Sequence, residues 1–426
     1  MARAELGSHD VADLALAPDG ESRITWATGQ MPVLARIRSR FAAERPLAGV
    51  RIAACLHVTA ETANLVRALR AGGAVVSLCA ANPLSTQDDV AAALVLEDGV
   101  EVRARRGEDV DTYVEHVLAL LSTADGPGPE ITLDDGADLL ITAHARGGEV
   151  LDGLIGGTEE TTTGLVRLRR LEDEGTLRCP VLALNEARTE RALNDRHGTG
   201  QSALDGIVRA TNVLLAGNTV VVVGYGWAGL GVAERARGAG AAVIVCEVDP
   251  LRALEARMAG YEVMPALAAA ERGDIFITVT GSRRVLRGAH FGRMKDGALL
   301  ANAGHFDVEL DLAELAALAT GGTRSARPLV EEYRLADGRR LHLLAHGRVV
   351  NLAAAEGHPA AVMDVSFALQ ALSVEDLVKR RGDLAPGVHP VSPAIDREVG
   401  RLKLAALGVE IDEPTPEQEH YRESWG

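Results

Sequence analysis

The residues best suited to chemistry fall at the ends of apolar runs. His57, Asn82, Asp135, Glu160 and Asn185 each sit at or just beyond the carboxyl end of a strand-like stretch. In a doubly wound sheet, that is where ligands bind. A second set of residues is made of glycines. Val220 to Val223 reads as a buried strand and leads straight into Gly224-x-Gly226-x-x-Gly229. An alanine-rich helical segment follows, then a second strand, Ala242 to Cys246, ending at Glu247. Strand, glycine turn, helix, strand and acid together are the context that a dinucleotide fingerprint requires. Gly224 permits the tight turn, Gly226 lets the backbone approach a pyrophosphate, and Gly229 lets the helix pack close to the strand. The helix N-terminus offers free N–H groups and a positive dipole end to phosphates. Glu247, 23 residues after Gly224, is placed to accept hydrogen bonds from ribose hydroxyls. It would repel a 2′-phosphate, which favours NAD over NADP.

The elements that must position these groups alternate between strand and helix. Residues 1–48 read as a helical lead-in, with apolar residues at helical spacing from Met31 to Ala43. Val50 to Leu56 is a strand, Thr62 to Gly72 a helix and Ala74 to Cys79 a strand. The polar turn Ser85 to Asp89 opens another helix, and Glu101 to Arg105 and Glu130 to Leu133 are short strands. Gly156 to Gly164 reads as a polar, hydroxyl-rich turn before a helix, and Val181 to Leu184 as one more strand. A polar segment, TERALNDRHGTGQS, precedes a helix from Ala203. Past the fingerprint, Ile275 to Thr280 is a strand ending in Gly281-Ser282, and Ala298 to Ala301 one ending in Asn302-Ala303-Gly304-His305. The final third carries Asn351, then His358-Pro359 and a helix to about Gln370.

Composition excludes several classes. The 426 residues are 47% hydrophobic, enough for two or three domains with sizeable cores. Only 3% are aromatic and the net charge is −16, so neither base stacking nor binding to nucleic acid is expected. The four cysteines (Cys55, Cys79, Cys179, Cys246) show no CxxC spacing and read as small buried hydrophobes. No signal pattern opens the chain, and no run approaches ~18 apolar residues. A soluble cytoplasmic protein without membrane contact is expected, and no metal constellation is evident. The chain has 41 arginines but three lysines (Lys295, Lys379, Lys403), so its first 294 residues contain none.

Several stretches, in one fixed order, resemble S-adenosyl-L-homocysteine hydrolases. They are CLHVTAETA (55–63), NPLSTQDD (82–89), LDDGADL (133–139), EETTTG (159–164), GYGWAGLG (224–231), HFDVE (305–309), EYRLADGRRLHLLAHGRVVNLAAAEGHP (332–359) and MDVSFALQ (363–370). The resemblance is to the shorter archaeal and thermophile-type members, which lack a C-terminal extension reaching a neighbour's NAD. It implies two doubly wound, Rossmann-like α/β domains. The substrate-binding domain would take 1–190, with 353–390 returning to it. The NAD-binding domain would take 196–352, and 391–426 would be a C-terminal oligomerisation segment of a homo-tetramer. The family's chemistry uses NAD to oxidise a nucleoside 3′-hydroxyl to a ketone, which acidifies C4′–H. A base removes that proton, the C5′ substituent leaves, water adds, and the ketone is reduced again.

Carried over by position, His57 and Asp135 match the family's pair near C4′ and C5′, and Thr59 and Glu160 match groups around the ribose. Glu61 matches the residue near the adenine amino group, His305 and His358 the histidines lining the nucleoside, and Met363 a contact to the base. Gln87 is carried with the substrate contacts. Thr161, Thr162, Thr163, Asn302 and Asn351 match NAD contacts, and Arg252 and Gly281 join the cofactor set with the glycine turn and Glu247. For Asp134 and Asp138, turn and cap chemistry stands beside function.

The sequence departs from the family in one segment. Members carry TKxxFDN, whose Lys, Asp and Asn serve the 2′ and 3′ hydroxyls and hydride transfer. Here the segment is Thr189-Glu190-Arg191-Ala192-Leu193-Asn194-Asp195. A cation has become the anion Glu190, and the carboxylate has moved from 194, now Asn194, to Asp195. Asp89 also stands where a histidine is usual. This favours a diverged nucleoside dehydratase or lyase that eliminates water to an unsaturated nucleoside. In that reading Glu190, Asn194 and Asp195 join the catalytic set with His57, Asp135, Glu160 and His305. The alternatives are a genuine adenosylhomocysteinase and an inactive NAD-binding regulator.

Overall fold

The computed structural model describes residues 8–122 and 128–424. The first seven residues of the expected lead-in and the last two of the closing segment lie outside the described residues. Sixteen strands are present among those described: β1 Asp10–Val11, β2 Arg51–Leu56, β3 Val75–Ala80, β4 Glu101–Ala104, β5 Ile131–Asp134, β6 Gly156–Glu159, β7 Pro180–Ala183, β8 Thr219–Val223, β9 Ala242–Cys246, β10 Glu262–Val263, β11 Ile275–Thr278, β12 Ala298–Asn302, β13 Ala319–Arg327, β14 Val330–Leu335, β15 Arg340–Leu344 and β16 Gly387–Pro390. They form two eight-stranded sheets, ordered β1-β4-β3-β2-β5-β6-β7-β16 and β10-β9-β8-β11-β12-β15-β14-β13. The fold is α/β, with two doubly wound units. The first sheet is parallel throughout. The second is parallel from β10 to β15 and closes with the antiparallel pairs β15–β14 and β14–β13.

Strand order determines where the chemistry can sit. In the first sheet the order reverses between β2 and β5, paired Cys55 to Asp134. In the second it reverses between β8 and β11, paired Val223 to Thr278. A crevice opens beyond the carboxyl ends of strands at each reversal. His57 and Asp135 follow directly on β2 and β5. Gly224 follows on β8, and Thr280-Gly281 lies just past β11.

The stretch read as one polar turn, Gly156 to Gly164, is corrected here. Its first four residues are β6, a fully buried central strand between β5 and β7. Its two glycines are where neighbouring strands approach closely: a Cβ on Gly157 would lie 2.6 Å from Thr132 Oγ1. Packing overrides the low strand propensity of glycine. Only Thr161 onward is the turn and helix.

The chain crosses between the sheets twice. The first crossing carries the departing segment as a π-helical stretch, Glu190–Thr199, continuing into the α-helix Gly200–Thr211. π-helical turns recur at functional sites because they re-aim side chains. The second crossing leads into a long helix, Ala360–Lys379, whose apolar residues join the core of the first unit. That helix runs nine residues beyond the expected end at Gln370. β16 then adds to β7, and the helix Pro393–Ala406 packs against its own chain, with Val399 fully buried. All four cysteines are buried and unpaired. No helix among the described residues is long and apolar enough to cross a membrane.

Candidate active site

The two crevices open into one cavity of about 1220 Å³. Its cofactor end is built largely from backbone. Gly224 adopts φ of +102°. A Cβ on Gly229 would lie 2.1 Å from the Gly224 carbonyl oxygen, and one on Gly226 would lie 2.8 Å from Arg252 Nη1. The helix Trp227–Gly238 therefore starts against the turn with its first N–H groups facing the cavity. Glu247 accepts from Tyr225 N at 2.7 Å, Val248 N at 2.6 Å and Asp249 N at 3.1 Å. Glu309, buried, holds Thr280 and Gly281 through their backbone N–H groups at 2.8–3.1 Å. Asn351 donates to Ser202 Oγ at 3.2 Å, while its buried Oδ1 has no partner. A glycine cradle, an acid at the ribose position and a spare buried amide acceptor fit NAD, which Gly224, Gly226, Glu247, Gly281 and Asn351 would hold.

At the other end, His57 and Asp135 meet. His57 Nδ1 is 2.7 Å from Ser85 Oγ, and Ser85 donates its one proton to the Asn82 carbonyl at 2.9 Å. The network therefore assigns the Nδ1 proton to His57 and leaves Nε2 as the free acceptor. Nε2 lies 3.2 Å from Asp135 Oδ2. Burial pushes His57 down to about 4 and pushes Asp135 up from the usual carboxylate range. Both shifts favour uncharged forms. The two side chains thus face each other across 3.2 Å with burial disfavouring charge on either. His305 Nδ1 stands 3.6 Å from Asp135 Oδ1, too far for a hydrogen bond.

The cavity wall formed by the π-helical stretch carries acids and no lysine. Ser366, on the helix Ala360–Lys379, reaches both oxygens of Glu190 at 2.7 and 2.8 Å, and Asn194 Nδ2 donates to Ser366 Oγ at 2.6 Å. Burial, opposed by the Ser366 hydrogen bond, pushes Glu190 up to about 8. Burial pushes Asp195 up to about 7, partly offset by the charge of Arg191. Glu160 is raised by burial and by the charges of Glu190 and Asp135, and its Oε1 has no partner. A protonated Glu190 is a hydrogen-bond donor. It can therefore offer a hydrogen bond to a molecule bound in the cavity.

Along the wall beyond His57, Glu61 is raised by burial, and Thr59 caps the helix Ala60–Ala71 by accepting from Thr62 N at 3.4 Å. His358 Nε2 is 3.2 Å from Thr199 Oγ1, and burial pushes His358 down to about 4. Met363 lines the same wall. Asp89 accepts from Arg23 Nε at 2.9 Å, and Arg23 also meets Glu356 at 2.9 Å, so the exchanged residue serves an ion-pair chain at the cavity rim.

The cavity brings together His57, Thr59, Glu61, Asp135, Glu160, Thr161, Thr162, Thr163, Glu190, Asn194, Asp195, Gly224, Gly226, Glu247, Arg252, Gly281, His305, Asn351, His358 and Met363. Three expected contacts do not line it. Gln87 accepts from Ala60 N at 3.0 Å and supports the Thr59 turn from behind. Asn302 is fully buried and spends its amide on Gly304 O, Phe306 O, Gly304 N and Thr278 Oγ1, so it shapes the His305 loop from within. Gly229 serves helix packing. Asp134 caps the helix Asp138–Arg146 through Leu139 N and Leu140 N, while Asp138 takes the Tyr113 hydroxyl and Arg167. Ser85, Ser366, Thr199 and Glu309 were not singled out by sequence reasoning. Each lies in or beside a matched stretch, but only spatial contact distinguishes it from its neighbours.

Residues 8–152 match the family model described as S-adenosyl-L-homocysteine hydrolase, and residues 195–357 match that of its NAD-binding domain. An adenosylhomocysteinase of Thermosynechococcus vestitus is 56% identical over 417 residues, covering 98% of this chain and 96% of that protein. One of Aquifex aeolicus is 56% identical over 416 residues, covering 98% of each. An S-inosyl-L-homocysteine hydrolase of Methanopyrus kandleri is 53% identical over 419 residues, again covering 98% of each. With a glycine cradle at one end of its cavity and a buried histidine–aspartate pair at the other, this chain belongs to the NAD-dependent S-adenosyl-L-homocysteine hydrolase family.

Proposed function

We propose that the protein acts on an adenine nucleoside through 3′-oxidation, C4′ deprotonation and departure of the C5′ substituent. The observation that carries this reading is the buried His57–Asp135 pair, 3.2 Å apart, at a sheet switch point. Bound NAD supplies reversible oxidation of the 3′-hydroxyl to a ketone. Glu190, Asn194 and Asp195 bind the sugar hydroxyls, and an ionised carboxylate there takes the 3′-hydroxyl proton. Once C4′–H is acidified, neutral His57 accepts that proton at Nε2, and the His57–Asp135 pair returns a proton to the leaving group at C5′. Glu61, an acceptor when ionised, faces the adenine amino group.

The reaction has two endings, and the relatives back the hydrolytic one over the dehydratase. Hydrolysis of S-adenosylhomocysteine to adenosine and homocysteine is supported by relatives 53–56% identical along nearly the whole chain. Elimination of water, ending at a 4′,5′-unsaturated nucleoside, is favoured by one observation: the sugar end holds Glu190 on Ser366 where members carry lysine. Hydroxide is the poorer leaving group, since water (roughly 15.7) is a weaker acid than a thiol (roughly 8.5) by about seven units. That ending leans harder on proton delivery by the His57–Asp135 pair. Crossings near 190 and 353 would act as hinges. A homo-tetramer in the cytoplasm belongs to the same proposal and rests on the family resemblance.

Purified protein given S-adenosylhomocysteine, and separately adenosine and related 5′-hydroxy nucleosides, decides between them by NADH absorbance and product mass. Homocysteine release establishes the hydrolase. A product lighter by one water, without homocysteine, establishes the dehydratase. No NAD reduction with any nucleoside would sink both readings in favour of an inactive homologue.

A further inference from the structure

The helix Pro393–Ala406 touches both walls of the slot that holds Glu190, and it does so through side chains that no function has yet claimed. On one wall, Asp396 accepts from Arg188 N at 2.9 Å, Thr189 N at 3.1 Å and Thr189 Oγ1 at 2.5 Å. Those are the residues immediately before Glu190, at the start of the π-helical stretch, where backbone N–H groups lack intrahelical partners. On the other wall, Lys403 donates to Asp364 at 2.8 Å and to the Ala361 carbonyl at 2.9 Å. Asp364 is fully buried and also accepts from Val33 N and Leu34 N. It lies two residues before Ser366, the group that holds Glu190. Removing one partner of such a buried pair leaves the other charge uncompensated.

We infer that Asp396 and Lys403 are positioning residues for the sugar end of the site, setting the distance between the Glu190 stretch and the Ser366 helix. The inference rests on the reading that Glu190 faces the substrate. Asp396 reaches the site through backbone, and Lys403 through the helix carrying Ser366; neither lines the cavity. Asp396 also adds negative charge near Glu190. The other titratable or charged groups around that carboxyl are Asp195, Asp135 and Glu160, with Arg191 beside it on the stretch and Glu186 paired to Arg191.

The test uses full-length protein with NAD, on whichever nucleoside the wild type turns over. Asp396→Ala and Lys403→Met are each expected to lower kcat about tenfold or more while leaving NAD affinity at the wild-type value, because a displacement of about 1 Å at a reacting group is costly. Asp396→Asn keeps an acceptor and loses the charge. It should recover most of the rate, and should move the pH limb governed by Glu190 toward acid. Arg401→Ala removes an exposed ion pair with Glu398 on the same helix and serves as the control for general loosening. Wild-type kcat in both Asp396→Ala and Lys403→Met, or losses no larger than in Arg401→Ala, would overturn the inference. If Asp396→Ala does not fold, the Asp396→Asn profile and Lys403→Met decide. A wild type inactive on every nucleoside would instead count against the reading of the site itself. In that case amide exchange at Arg188 and Thr189, unchanged in Asp396→Ala and slow in both proteins, would show that Asp396 does not hold this stretch.

Discussion

The two ends of the cavity are built by different means. The cofactor end is made of backbone: a glycine turn, a helix start and one carboxylate that caps its own loop. Substitution there is limited by space, as the 2.1 Å approach at Gly229 illustrates. The sugar end is made of side chains converging from three separated segments, Glu160, Glu190–Asp195 and Ser366. Substitution there is limited by charge and hydrogen bonding, and a compensating partner can absorb it. The same frame can therefore keep its cofactor end fixed while its acid-rich end varies. Lysine can be exchanged for glutamate when burial keeps that glutamate protonated.

This comparison can be broken at its strongest point first. Asp135→Asn and His57→Ala should each cost about 10³-fold in kcat with NAD affinity retained, since general acid–base groups contribute roughly 10²–10⁴. Measured NAD affinity falling along with kcat would show that the two ends are not separable. At the cofactor end, Gly229→Val should weaken NAD binding by about 10- to 100-fold through overpacking, measured by titration, with no change in the pH profile of the remaining activity. The triple change Glu190→Lys, Asn194→Asp, Asp195→Asn should raise homocysteine release from S-adenosylhomocysteine about tenfold. No gain would mean that the segment does not select the leaving group.

A pH profile sharpens the same point. Glu190 is raised to about 8, so it is protonated at neutral pH and ionises as pH climbs through that value. Turnover that needs its proton should fall about tenfold per pH unit above about 8, and Glu190→Gln should lack that limb. Linkage has the same sign. In the unfolded chain Glu190 ionises near 4.3, so its contribution to stability is complete below about that pH and is lost as pH rises through about 8. The thermal midpoint of Glu190→Gln should therefore fall less than that of the wild type between about pH 7 and 9. The smallest effect is expected at the rim. Asp89→His removes a half-exposed ion pair with Arg23 and should change KM by less than about twofold, because such pairs contribute little.

Local patterns in the chain carried a good deal of this. The valine run before Gly224 and the acid after Cys246 located the dinucleotide turn, because that turn is a matter of residues adjacent along the chain. Strand ends placed His57, Asp135 and Glu160 at a crevice for the same reason. Elsewhere the pattern was silent or misleading. Gly156-Gly157-Thr158-Glu159 looks like a turn and is a central strand, since its neighbours demand residues without bulk. Asn302 looks like a cofactor contact and is fully satisfied inside its own loop.

The amino-acid order alone determined that this is a two-unit α/β protein with a dinucleotide turn, an acid–histidine site and no lysine in the first 294 residues to serve it. Those follow from local periodicity, spacing and composition. Only the tertiary structure decided that Ser366, 176 residues away, holds Glu190, that Ser85 sets the His57 tautomer, and that burial pushes Asp135 up from the usual carboxylate range. Proton placement depends on burial and on partners brought from distant segments, and neither is a property of any single stretch of chain.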